Sequence, residues 1–305
     1  MKIIVTGGSG FIGTDICRLL KKDHEIIVFD TQKPKLETKF RQGDIKNFKD
    51  VTDALRDCDL VIHLAATLGV VHTEENPIKT LDTNTGGTRN VLEACRINNV
   101  KKIILSSSSE VYGEPSKIPI EESETPIPIT IYGVSKLAAE YYTKSYAKVY
   151  GIQYTIFRLF NVYGAEQANN WVIPEFVSKA VKNEDIVIHG DGSQMRAFCY
   201  VTDVSNAFSS VLEKGNGEIY NIGNGSEPIS IKELAQRVIS VTNSKSSIKF
   251  TPFENSKRNR IEILFRAPST EKALKQLGYE PKISLNEGLL LVANKKRESS
   301  LENNN

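Results

Sequence analysis

The chain is poor in the residues that carry metal, redox and staple chemistry. Its 305 residues include four cysteines, four histidines, two methionines and one tryptophan. Cys17, Cys58, Cys95 and Cys199 are scattered without metal-ligand spacing, and Cys17 and Cys95 fall on the apolar faces of predicted helices. That pattern excludes a zinc ribbon and a disulfide framework, and it is read as buried, reduced thiols with no metal expected. Neither sign of charge is in surplus: 39 Lys and Arg stand against 37 Asp and Glu, a net of +2. No basic block precedes the C-terminal tail, so neither nucleic acid nor an anionic membrane is expected as a partner. The longest apolar stretch, 60–71, is interrupted by His63 and falls short of the ~20 residues that span a bilayer. The first residues enter a strand directly, with no signal-peptide pattern, and a cytoplasmic protein is expected. No internal repeat is present.

Against these absences stands an ordered N-terminal pattern. Lys2–Thr6 (KIIVT) is a β-branched run that breaks into Gly7-Gly8-Ser9-Gly10-Phe11-Ile12-Gly13, after which Phe11, Ile12, Ile16, Leu19 and Leu20 recur at helical spacing. Gly7, Gly10 and Gly13 allow a tight turn and close backbone approach, and the amides of Gly10 to Gly13 open a helix whose N-terminus suits a pyrophosphate. A second apolar run ends in Asp30, about 20 residues past the turn, where an acid suits the ribose hydroxyls of NAD and repels the extra phosphate of NADP. A short third strand over 40–45 closes on Asp44 and Ile45, an acid beside an apolar residue that could meet the adenine; Asp44 could equally cap the helix predicted over 47–55. The strand over 59–66 runs through His63 and Leu64 into Ala65 and Ala66, small residues that let a ligand lie against the backbone.

A long helix is predicted over 77–98, with Asn84 and the pair Gly86 and Gly87 inside it; the glycines imply close packing on a neighbour. The strand at 101–105 ends in Ser106 to Ser109, a run of hydroxyls at the ligand-binding edge of a parallel sheet. A Pro- and Glu-rich loop (115–128), a helix from Tyr132 to about Tyr150 and a strand over 153–159 follow. Beyond Phe160 the strand–helix alternation stops. These elements predict an α/β chain: a Rossmann-type doubly wound parallel sheet (1–163 with about 200–222) and a smaller, discontinuous substrate-binding domain (about 164–199 with 223–293). The tail at 294–305 is expected to be frayed.

Tyr132 and Lys136 stand at i and i+4, on one face of one helix. A free phenol, with a pKa of about 10, is a poor base at neutral pH. A lysine one turn away, with a positive nicotinamide ring, would bring it toward working pH. Ser108, at the neighbouring strand end, could hold a substrate hydroxyl against it.

With these residues in place the chain resembles the extended short-chain dehydrogenase/reductases, and among them the nucleotide-sugar epimerase/dehydratase family. The matching segments are TGGSGFIG at 6, HLAA at 63, NTGGTRNVLEA at 84, SSSSEVYG at 106, YGVSK at 132, RLFNVYG at 158, VIPEF at 172, GDGSQMRAFCYVTDV at 190, YNIGNG at 220 and LGYEPKISLNEGL at 277. The resemblance implies tightly held NAD contacted also by Leu64 and Asn84, a nucleoside diphosphate sugar, with UDP favoured, and a homodimer through the Tyr132 helix. It makes Ser108, Tyr132 and Lys136 the catalytic trio, and Ser109, Asn161, Val172 and Arg196 substrate contacts; Arg258, Arg260 and Arg266 are further candidates for binding phosphate or carboxylate. The implied chemistry is oxidation at sugar C4 followed by 4-epimerisation. Ala197, in place of an acid common in epimerases, and RAFCYV are closer to UDP-glucuronate decarboxylases, whereas YGVSK is closer to epimerases. Glu110, two residues past Ser108, occupies the position of a functional glutamate in decarboxylases and dehydratases, or is a solvated loop charge.

Overall fold

The computed structural model describes residues 1–252 and 263–302; Arg258 and Arg260 lie outside them. The N-terminal half contains β1 (Lys2–Thr6), α1 (Phe11–Leu20), β2 (Glu25–Asp30), β3 (Lys39–Gln42), α2 (Phe48–Ala54), β4 (Leu60–His63), α3 (Val70–Glu75), α4 (Pro77–Leu81), α5 (Gly87–Ile97), β5 (Lys102–Ser108) and α6 (Ile131–Tyr150). There follow β6 (Gln153–Leu159), β7 (Val162–Tyr163), α7 (Val172–Val181), β8 (Ile186–His189), β9 (Met195–Ala197), β10 (Cys199–Tyr200), α8 (Val201–Ser210) and β11 (Glu218–Ile222). The chain closes with β12 (Pro228–Ser230), α9 (Ile231–Thr242), β13 (Ile248–Thr251), β14 (Phe265–Arg266), α10 (Glu271–Leu277) and α11 (Leu285–Glu302).

Seven strands form one parallel sheet in the order β11-β6-β5-β4-β1-β2-β3. Its inner strands β1, β2, β4 and β5 are buried almost throughout, as their near-continuous apolar sequences require, whereas the edge strand β3 (KFRQ) is not. Ile3 and Val5 join the core shared with α1 and α8, whereas Ile4 joins the opposite core beneath α2 and α5. The order reverses between β1 and β4, and the crevice at their C-terminal ends is where open sheets of this kind bind ligands. A second core, centred on Phe176, Leu234 and Leu289, draws on α7, α9 and α11. Beside it lies a small sheet ordered β12-β9-β14. Among the described residues no helix is long and apolar enough to cross a membrane.

Four expectations are corrected. The tail from Asn294 continues α11 as far as Glu302, carried by a helix whose Leu285, Leu289, Val292 and Ala293 are buried. Ala273, Leu277 and Tyr279 join the core of the large sheet, so this stretch sides with the first unit and not the second. The cap of α2 is Asn47, whose side chain accepts the Lys49 and Asp50 amides, and not Asp44. The helix expected over 77–98 is interrupted by a π-turn at Asp82–Gly86, and of its two glycines only Gly87 is in close contact, against Ile45.

Candidate active site

The glycine turn builds one wall of the crevice. Gly7 has φ +72°, and a Cβ there would lie 2.7 Å from the amide nitrogen of Ala65; at Gly13 it would collide with the Gly7 carbonyl. Glycine is required because turn, helix and the Ala65 backbone occupy the same space. Gly10 caps α1 with an extended backbone and no side-chain hydrogen bond, so the cap residue itself leaves the opening amides of Phe11 and Ile12 without a side-chain acceptor. A pyrophosphate fits such a helix start. Asp30 stands beside it, its carboxylate accepting the amides of Ser9 and Gln32, both at 3.1 Å.

The remaining expected cofactor contacts divide. Leu64, Ala65 and Ala66 are half-buried at the crevice edge. Asp44 is half-buried and accepts the Lys46 amide at 2.9 Å. The Ile45 side chain belongs to the core, and its carbonyl accepts from Asn90 at 3.0 Å. Asn84, buried in the π-turn, spends its amide on the protein: Oδ1 accepts the Thr67 amide at 2.7 Å, and Nδ2 donates to the Thr67 carbonyl and Ser135 Oγ, both at 2.9 Å. It fastens the loop after β4 to α6. A π-turn at such a point is a common mark of a functional site.

The serine-rich end of β5 faces the start of α6. Tyr132 and Lys136 project from adjacent turns, with the Lys136 Nζ 5.8 Å from the Tyr132 ring centroid and donating to the Ser106 carbonyl at 2.8 Å. The nearby Ser108 hydroxyl acts to lower the Tyr132 phenol. Burial lowers the Lys136 ammonium to about 8, while Glu140 opposes the shift. The phenol is raised above its ordinary value, first by burial and then by the Glu110 carboxylate. The expectation of a lowered phenol paired Lys136 with a positive nicotinamide ring. The protein's own groups hold it up, and the additional positive charge has to come from a bound cofactor.

Glu110 is not a solvated loop charge. It is buried in the 3-10 turn Ser109–Tyr112, where Ser109 is buried too. Its Oε2 accepts the Thr130 hydroxyl at 2.8 Å, and its Oε1 lies 3.4 Å from Arg266 Nη1. Arg266 pairs in register with Arg196 across β14 and β9, so the two arginines lie side by side on the small sheet. Asn161, at φ +29°, donates to the Ala197 carbonyl at 3.2 Å and so abuts the residue after Arg196. Val172 packs on the second core at the start of α7.

Beneath the trio lies a layer that sequence reasoning missed. Glu140 accepts from Ser107 Oγ at 2.6 Å, Arg158 Nε at 2.9 Å and Arg158 Nη2 at 2.8 Å. The Arg158 guanidinium sits 4.7 Å from the Tyr112 ring centroid. His63 bridges Thr6 and Thr88 at 2.6 and 2.9 Å, and burial followed by the Lys136 charge lowers it to about 3, keeping it neutral. Glu140 was detectable as a carboxylate one helical turn past Lys136. Arg158 and His63 lie on strands whose partners come from distant segments.

The fold is that of an NAD-binding, Rossmann-type scaffold, with the Tyr132 and Lys136 side chains brought together at the serine-rich end of β5. Residues 3–223 match the model of the NAD dependent epimerase/dehydratase family, and the chain belongs to that family, with NAD as its cofactor. It is 38% identical to the putative UDP-glucose 4-epimerase of Methanocaldococcus jannaschii, over 96% of this chain and 97% of that protein. It is 34% identical to the UDP-N-acetyl-alpha-D-glucosaminuronate decarboxylase of Bacillus cytotoxicus, over 94% of this chain and 95% of that one. The Thermotoga maritima UDP-glucose 4-epimerase, solved with UDP-glucose, superposes with a TM-score of 0.92 at 32% identity, covering 98% and 100% of the two chains. The chain is an enzyme of nucleotide-sugar epimerase, decarboxylase or dehydratase type.

Proposed function

We propose that the chain is a UDP-sugar 4-epimerase working through a 4-keto intermediate. NAD, when bound, supplies hydride acceptance and return. Asp30 and the glycine turn would hold it, with Tyr132 and Lys136 at its reactive end. Tyr132 takes the proton of the sugar C4 hydroxyl and later returns it, Ser108 holds that hydroxyl in line, and the Lys136 ammonium favours the phenolate. Arg196 and Arg266 would engage the diphosphate or ribose by charge-assisted hydrogen bonds. The observation that favours epimerisation over chemistry at C5 is the engagement of Glu110. Thr130 donates to one of its oxygens and Arg266 lies against the other, which holds the carboxylate in a network of the protein's own groups.

A second reading, decarboxylation or 4,6-dehydration, is supported by the burial of that same carboxylate against Tyr132. Incubation with UDP-glucose, UDP-N-acetylglucosamine and UDP-glucuronate, with products followed by NMR, separates the two. A C4 epimer supports the first reading. A pentose with released carbon dioxide, or a 4-keto-6-deoxy sugar, replaces it with the second.

The assembly we propose is a homodimer through α6. Tyr141, Val149 and Tyr150 of that helix are 62%, 67% and 52% exposed, an apolar strip that a second copy would cover. Tyr141→Glu with Val149→Glu should give monomers in sedimentation. The four cysteines are free and buried, in keeping with a cytoplasmic enzyme.

A further inference from the structure

We propose that Glu110 is a positioning residue that sets the Tyr132 hydroxyl through the cap of α6. The proposal rests on the epimerase reading, in which no base is needed at C5. Thr130 is the N-cap of α6, its Oγ1 accepting the Gly133 amide at 2.9 Å. The same hydroxyl has one proton, and it donates that proton to Glu110 Oε2 at 2.8 Å. The carboxylate thus orients the cap two residues before Tyr132. The main chain of the same turn reaches the other half of the site, the Glu110 N–H donating to Ser108 Oγ at 3.2 Å.

The main chain adds a third contact. A Cβ at Gly133 would lie 2.5 Å from the Glu110 carbonyl oxygen, so the turn carrying Glu110 and the first turn of α6 meet backbone to backbone. Arg266, reaching from β14 to Oε1 at 3.4 Å, fixes the carboxylate from the opposite side. Ser108 and Tyr132 come from different elements, and Glu110 is bonded to the first and to the cap of the second. Misplacing a reacting group by about 1 Å costs on the order of 10²-fold, so a loosened cap should be visible in turnover.

The test is a double-mutant cycle on the full-length enzyme with NAD bound. Glu110→Ala and Thr130→Ala should each lower kcat about tenfold or more, with KM and bound NAD within about threefold of the parent. The double variant should be no worse than the poorer single one, because both break one relay. Thr130→Ser, which keeps the hydroxyl, should recover kcat to within about threefold. Should the alanine variants fail to fold, Glu110→Gln decides: its amide oxygen still accepts from Thr130, so turnover continues without a build-up of reduced cofactor. Losses that multiply in the double variant, a Thr130→Ser enzyme as poor as Thr130→Ala, or a Glu110→Gln enzyme stalled with its cofactor reduced would each overturn the proposal. Product identity is read separately. A C4 epimer with multiplying losses removes the positioning role alone, and a pentose or 4-keto-6-deoxy product with non-additive losses removes the epimerase reading alone.

Discussion

Replacing Arg158 by Met isolates the buried ionic layer under the active site. The Arg158 and Glu140 side chains are 3% and 0% exposed, and their two-point contact is completed by Ser107. Removing one partner of such a pair leaves a buried charge without its counter-ion, at a cost of about 3–5 kcal/mol. Loss of the guanidinium over Tyr112 adds ~0.5–2 kcal/mol. At ~2–4 °C per kcal/mol for domains approaching this size, the melting temperature should fall on the order of 10 °C. Scanning calorimetry of the NAD-loaded enzyme measures it. Glu140→Leu combined with Arg158→Met should regain most of the loss, since removing both charges together is close to neutral. A drop below about 2 °C for Arg158→Met, or a double variant no more stable than the worse single one, would refute the reasoning.

Tyr132→Phe should lower kcat by about 10²- to 10⁴-fold with substrate affinity nearly intact; a variant keeping most of its turnover would exclude Tyr132 as the proton acceptor. Asp30 should make NAD bind more tightly than NADP to apo-protein, and Asp30→Ser should narrow the gap, both read by calorimetry. Lys136 releases its proton near 8 when folded and at about 10.4 when unfolded. The unfolded chain then binds more protons between those values, so the penalty of burying the ammonium is present below pH 8 and relieved as pH rises toward 10.4. Lys136→Met apo-protein should accordingly exceed the parent in melting temperature at pH 7, and the advantage should vanish by about pH 10.

The large sheet was legible because its inner strands each carry their own signature. A parallel strand covered on both faces must be apolar throughout, and a glycine turn between strand and helix declares itself at fixed spacing. Tyr132 and Lys136 were readable for the same local reason, being one helical turn apart. The boundary errors also had local causes. The polar NKKRESSLE stretch looks frayed because it lacks an apolar stripe, yet it extends a helix already anchored by Leu285 and Leu289.

What the sequence determined by itself was therefore local and periodic: the glycine turn, the acid ending β2, the serine edge of β5, and the Tyr–Lys pair. The tertiary structure decided which distant groups meet them. Glu110 finds Arg266 across 156 positions of sequence, and Ser107 finds Glu140 across 33. It also brought burial and the Glu110 charge to bear on the Tyr132 phenol, both raising it, which helical spacing to Lys136 does not reveal. Side-chain spacing on one helix depends on backbone geometry alone. Desolvation and charge pairing depend on everything that closes around the group.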